Sequence, residues 1–178
     1  MKLVVMSRVG PQLELYWGNA FMIGKATPSR YGTNSAHISR HELAQLFEVR
    51  KVIEANAVKW ATERAGDAEL YNLLALVEED FLSITYQIIE CKIALWEHDT
   101  RFHAAIFRLA GNAVLLKALQ EIAGLMAKSR QKTLFIPGRA RKSLHQHIQI
   151  ARLMARRKAP EAAKAMQSHI DSVSRSVI

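Results

Sequence analysis

Asp99 and His103 stand four residues apart. That spacing stacks two side chains on one face of an α-helix, where both can grip a single ion. They share the face of Leu95, Phe102 and Ile106, which a helix would turn toward an apolar interior. His147 falls among Leu144, Ile148, Ala151 and Met154, and His169 shares a face with Ala162, Ala165, Met166 and Val173. His145, two positions from His147 and about 200° round the helix, is expected to face outward. An Asp/His pair alone also arises as a plain hydrogen bond. Three imidazoles and a carboxylate brought inside one apolar core carry a desolvation cost that a shared divalent metal offsets. Zinc is the first choice, with nickel, manganese and iron open.

Arg50 is the second chemical clue, because it lies on the apolar stripe of Leu46, Phe47, Ile53 and Ala57. A fixed charge there needs a partner. Glu54 at i+4 would supply an internal ion pair; alternatively, the guanidinium is an anchor for an anionic ligand, gripping a carboxylate in a bidentate fork.

Helices must position these groups. Ser39-Arg40-His41-Glu42 has the Ser-x-x-Glu form of a capping box and marks a helix start. From there Leu43, Leu46, Phe47, Ile53, Ala57 and Trp60 recur at three- and four-residue steps, predicting a helix to about Ala65, stopped by Gly66. Asp67 is the expected N-cap of the next helical stretch, whose apolar positions run through Leu70, Leu73, Leu74 and Val77 and resume from Ile88 and Ile89 to Leu109. Gly111-Asn112 breaks the chain before a helix carrying Val114, Leu115, Leu119, Ile122 and Met126, and a loop follows at Ile136-Pro137-Gly138. The last two helices are expected over about Ala140 to Lys158 and from near Pro160 to about Val173. Short connections and no alternating pattern after residue 38 predict an all-α, antiparallel helical bundle. Residues 1–38 hold four of the eight glycines and no sustained apolar period, and read as a poorly patterned extension with one short strand near Leu13 to Trp17. Residues 39–178 form the helical domain.

Composition narrows the class. The 178 residues are 49% hydrophobic and 23% charged, enough for one sizeable core and against a disordered chain. Cys91, the single cysteine, excludes an intramolecular disulfide and fits a reducing, cytoplasmic home. Charged residues interrupt every apolar run, so no membrane span or secretory signal is expected. The net charge of +9 is uneven: from Ile122 to Pro160 there is no acid, yet ten Lys and Arg residues fall there. Such a block is either a solvated helix face or a contact for phosphate.

The segments Glu42-Leu43, Leu46-Phe47-Glu48-Val49-Arg50 and Ile53-Glu54, then Asp99-x-x-Phe102-His103-x-x-Ile106 with Gly111-Asn112, and Ser143-Leu144 through His147 to His169, together resemble the FCD domain. That domain is the effector-binding carboxy-terminal half of FadR-type regulators in the GntR family. The resemblance covers about residues 39 to 175. It implies a six- or seven-helix bundle that pairs into a homodimer, with a metal on Asp99, His103, His147 and His169. A small carboxylate metabolite as effector would complete the coordination, with Arg50 facing its pocket.

Members of that family carry a winged helix-turn-helix ahead of this domain. Residues 1–38 are too short and weakly patterned for its three helices, so Tyr31 to Ile38 read as a remnant of wing and linker, and DNA contact is expected only through a module not evident in this chain. The expected function is thus a metal-dependent carboxylate sensor and not an enzyme. The alternative is a metal-dependent hydrolase built on the same ligands, against which stands the lack of a spare inward base, since Glu97 and His98 are expected to turn away from the site.

Overall fold

The computed structural model describes residues 38–86, 92–134 and 136–178. Among these lie six helices and no strand: α1 (Arg40–Arg64), α2 (Asp67–Tyr86), α3 (Lys92–Leu109), α4 (Ala113–Leu134), α5 (Arg139–Ala155) and α6 (Ala159–Val177). The all-α bundle expected from the apolar periodicity is what the chain forms. The expected strand near Leu13 to Trp17, most of the proposed wing remnant, Ile88, Ile89 and Cys91 lie outside the described residues.

Helix α1 begins as its sequence dictates. The Glu42 amide donates to Ser39 Oγ at 3.1 Å and the Ser39 amide to Glu42 Oε2 at 2.9 Å, closing the capping box. At the next start the cap falls one residue earlier than expected. The Leu70 amide bonds the Gly66 carbonyl, and Asp67 sits within the first helical turn. The Asp67 carboxylate instead meets the Arg157 guanidinium at 2.5 Å, tying the start of α2 to the α5–α6 turn. Arg157 holds a left-handed backbone (φ 58°) in that turn and also donates to the Thr62 carbonyl at the end of α1. The helices after the Pro137-Gly138 loop start and stop within a few residues of their expected bounds.

α1 packs chiefly against α6, and α2 against α5, while α5 and α6 form an antiparallel pair. α3 touches α1, α2, α4 and α5, so it runs through the middle of the bundle. The core around it contains Leu43, Leu70, Phe102, Ile106, Phe107, Leu119, Ile150, Met154, Met166 and Ile170, all at most 1% exposed. Each such side chain contributes roughly 1.5–3 kcal/mol by leaving water. Among the described residues no helix is long and apolar enough to cross a membrane.

Candidate metal centre

His103 on α3, His147 on α5 and His169 on α6 are at most 1% exposed and each points inward. One ligand atom from each lies within 4.8 Å of the other two. Asp99, one turn before His103, brings its Oδ1 to 3.7 Å from His103 Nε2 and 3.8 Å from His147 Nε2. His147 Nε2 and His169 Nε2 stand 3.3 Å apart. The four residues singled out from the sequence thus meet at one point among α3, α5 and α6.

The outer partners decide which ring nitrogen of each imidazole carries the proton. Glu54 Oε2 lies 2.5 Å from His103 Nδ1 as an ion-pair contact. Arg50 holds that carboxylate from its other side, Nε to Oε1 at 2.6 Å. For His169, the Gln146 Oε1 is 3.0 Å from Nδ1 and also accepts from Arg139 Nη2 at 2.7 Å. A guanidinium only donates, so that atom is the amide oxygen and His169 Nδ1 is the donor. The Nε2 lone pair of His169 is therefore turned toward the cluster, and His103 Nε2 faces Asp99 there. Among the described residues both ring nitrogens of His103, fully buried, lack a partner in hydrogen-bond geometry. Burial, reinforced by the neighbouring His103, holds the His169 imidazole well below its ordinary value, with Asp99 and Glu54 pulling the other way. Three imidazoles and a carboxylate facing one point are the donor types a divalent cation takes, so these residues fit a metal.

His98 departs from expectation. Predicted to turn away, it is 2% exposed and its Nε2 lies 3.0 Å from His147 Nδ1. Its Nδ1 meets Asp80 Oδ2 at 2.9 Å, and Arg101 holds Asp80 in turn. α3 has more than one buried stripe, because α2 and α5 cover its adjoining flank as well. Glu97 does face solvent, and so does His145, whose ring lies against Phe81.

Arg50 is buried with Glu54, also donates to Ser129 Oγ at 3.3 Å and lies over the Phe47 ring. Its position on the apolar stripe is as read, and its guanidinium is engaged in the i,i+4 ion pair. A cleft beside the cluster is lined instead by Leu95, Asp99, Thr133, Arg139, Ser143 and His147, among others. Arg139 went unnoticed in the sequence, where it is one of many bases in the acid-free stretch. It is 4% exposed and donates to Ser172 Oγ, Ser143 Oγ and Gln146 Oε1, while its Nε has no partner among the described residues. Burial pulls its guanidinium below the ordinary value, and Asp99 opposes that. Other bases of the stretch are engaged too: Arg152 with Glu78 and Arg157 with Asp67.

Residues 45–172 match the FCD domain. The chain belongs to the FCD family. It is 30% identical over 146 residues to the Nta operon transcriptional regulator of Aminobacter aminovorans, covering 81% of this chain and 65% of that protein. It is 27% identical over 140 residues to the HTH-type transcriptional repressor NanR of Escherichia coli K12, covering 74% of this chain and 49% of NanR; NanR of Shigella flexneri matches equally. By their names these relatives are transcriptional regulators. The matched part of the chain spans 65% of the first regulator's length and 49% of NanR's.

Proposed function

We propose that this FCD domain is the sensor of a transcriptional regulator, holding a divalent metal on Asp99, His103, His147 and His169 and taking a small carboxylate metabolite in the adjoining cleft. The observation that carries it is the convergence of buried Nε2 atoms whose opposite ring nitrogens are already occupied by Glu54 and Gln146. Zinc is the first candidate, with nickel, manganese or iron as alternatives. When bound, the cation supplies a Lewis-acidic point to which a carboxylate oxygen is drawn. The chain supplies the rest. Arg139, desolvated and bonded to neutral oxygens, offers the complementary positive charge at the cleft. Arg50 acts behind the centre, fixing Glu54 and through it the His103 ring.

An effector spanning α3 and α5 adds contacts between helices, and differential contacts of that kind are what shift a conformational equilibrium. In a cytoplasmic homodimer attached to a DNA reader, that shift would alter operator affinity. The hydrolase alternative loses its support with relatives that are regulators. Native mass spectrometry and elemental analysis of gently purified protein test the metal. One equivalent is expected in the native chain and loss is expected in Asp99→Ala and His147→Ala. No metal uptake by the native chain, or unchanged uptake in both variants, overturns the proposal. A panel of sugar acids and hydroxy acids titrated into metal-loaded protein tests the effector, with no binding across the panel counting against a carboxylate.

A further inference from the structure

The polar chain Arg101–Asp80–His98–His147 runs from the surface of the bundle to the cluster. Asp80 accepts from Arg101 Nη2 at both oxygens, 2.9 and 3.0 Å. A carboxylate only accepts, so the 2.9 Å contact with His98 places a proton on His98 Nδ1. In a ring with one N–H, His98 Nε2 is then an acceptor. The 3.0 Å contact between His98 Nε2 and His147 Nδ1 therefore has His147 donating. Its proton committed there, His147 turns the lone pair of Nε2 toward His169 and Asp99. The ring is held in plane as well: Phe102 stacks on it at 4.0 Å between centroids and 19° between planes.

We propose that His98, oriented by Asp80, is the positioning residue that selects the metal-competent tautomer of His147. This deepens the metal reading above and rests on it. The chain ends at Arg101, 44% exposed, and at Asp80 on α2, an element that contributes no ligand. The state of α2 is thereby linked to the readiness of a ligand on α5.

The experiment uses the full chain, with His98→Leu removing the acceptor and His98→Gln restoring one through its amide oxygen. Competition against a chromophoric chelator measures zinc affinity, and long-range proton–nitrogen NMR of the metal-free protein reports which nitrogen of His147 is protonated. In the native chain His147 is expected as the Nδ1–H form. His98→Leu is expected to populate the Nε2–H form and lower zinc affinity about 10- to 100-fold, His98→Gln to recover most of both, and Asp80→Asn to fall between. An Nε2–H tautomer in the native chain, or an unchanged tautomer and affinity in His98→Leu, overturns the inference. If the native chain takes no zinc, the metal reading falls, while the tautomer measurement still decides whether His98 sets His147. Should His98→Leu fail to fold, the tautomer in Asp80→Asn and His98→Gln decides it.

Discussion

Among the described residues two arginines are buried, and the chain treats them differently. Arg50 is neutralised within its own helix: Glu54, one turn on, meets it at 2.6 Å, and both are at most 2% exposed. Arg139 is met by two serine hydroxyls and a glutamine oxygen, all neutral, beside a cleft that also holds Asp99. A buried cation with a carboxylate at contact distance is a structural pair, while one satisfied by neutral oxygens keeps its field for an incoming anion. Opposite charge at i+4 marks the structural arginine; a cleft marks the one proposed to meet an effector.

The largest effect that would break this contrast is on stability. Glu54→Gln leaves Arg50 buried without its counter-charge and should cost about 3–5 kcal/mol. Arg139→Met removes a charge that is already poorly solvated and should cost less than about 1.5 kcal/mol. Urea unfolding of the metal-free variants measures both, and equal losses would erase the distinction. Next in size is ligand binding. Arg139→Met should weaken a bound hydroxy acid about 10- to 100-fold, roughly 1.4–2.8 kcal/mol, by calorimetry on metal-loaded protein. Arg139→Lys should recover only part of this, because an ammonium lacks the planar fork.

A pH series sharpens the difference between the cluster and the cleft. His169 in the fold resists protonation, whereas in the unfolded chain it takes a proton near its ordinary value of 6.5. The unfolded state thus binds more protons below that pH. Its stabilising contribution is full above about 6.5 and is lost on acidification, by at most about 1.4 kcal/mol per pH unit. Metal-free His169→Gln should show a flatter acid limb in denaturant titrations at successive pH values. Ser39→Ala, remote from both arginines, is the smallest, at about 1 kcal/mol from the lost cap, and should leave metal and ligand affinity unchanged.

Much of this was legible in local pattern. The capping box at Ser39, the breaks at Gly66 and Gly111, and the apolar periods of α1, α5 and α6 are short-range signals, because hydrogen bonds and burial repeat every 3.6 residues. Asp99, His103, His147 and His169 were visible for the same reason, each sharing an apolar face. His98 was not, since a neighbour of Asp99 is rotated by about 100° and reads as outward on any helix with one buried stripe. Only the packing of α2 and α5 on two sides of α3 buries it. Arg139 was hidden among ten bases in a stretch without acids, where nothing local separates a cleft cation from a solvated one.

The amino-acid sequence by itself determined most of the helices, which faces turn inward, and a set of ligand-type residues on those faces, since all of these depend on neighbours a few positions away. Tertiary structure alone decided that Glu54, Gln146 and His98 back three different imidazoles, and that Arg139 rather than Arg50 lines the cleft. Those contacts join residues 23 to 49 positions apart. Only the packed arrangement of α1, α3, α5 and α6 brings them within hydrogen-bonding reach.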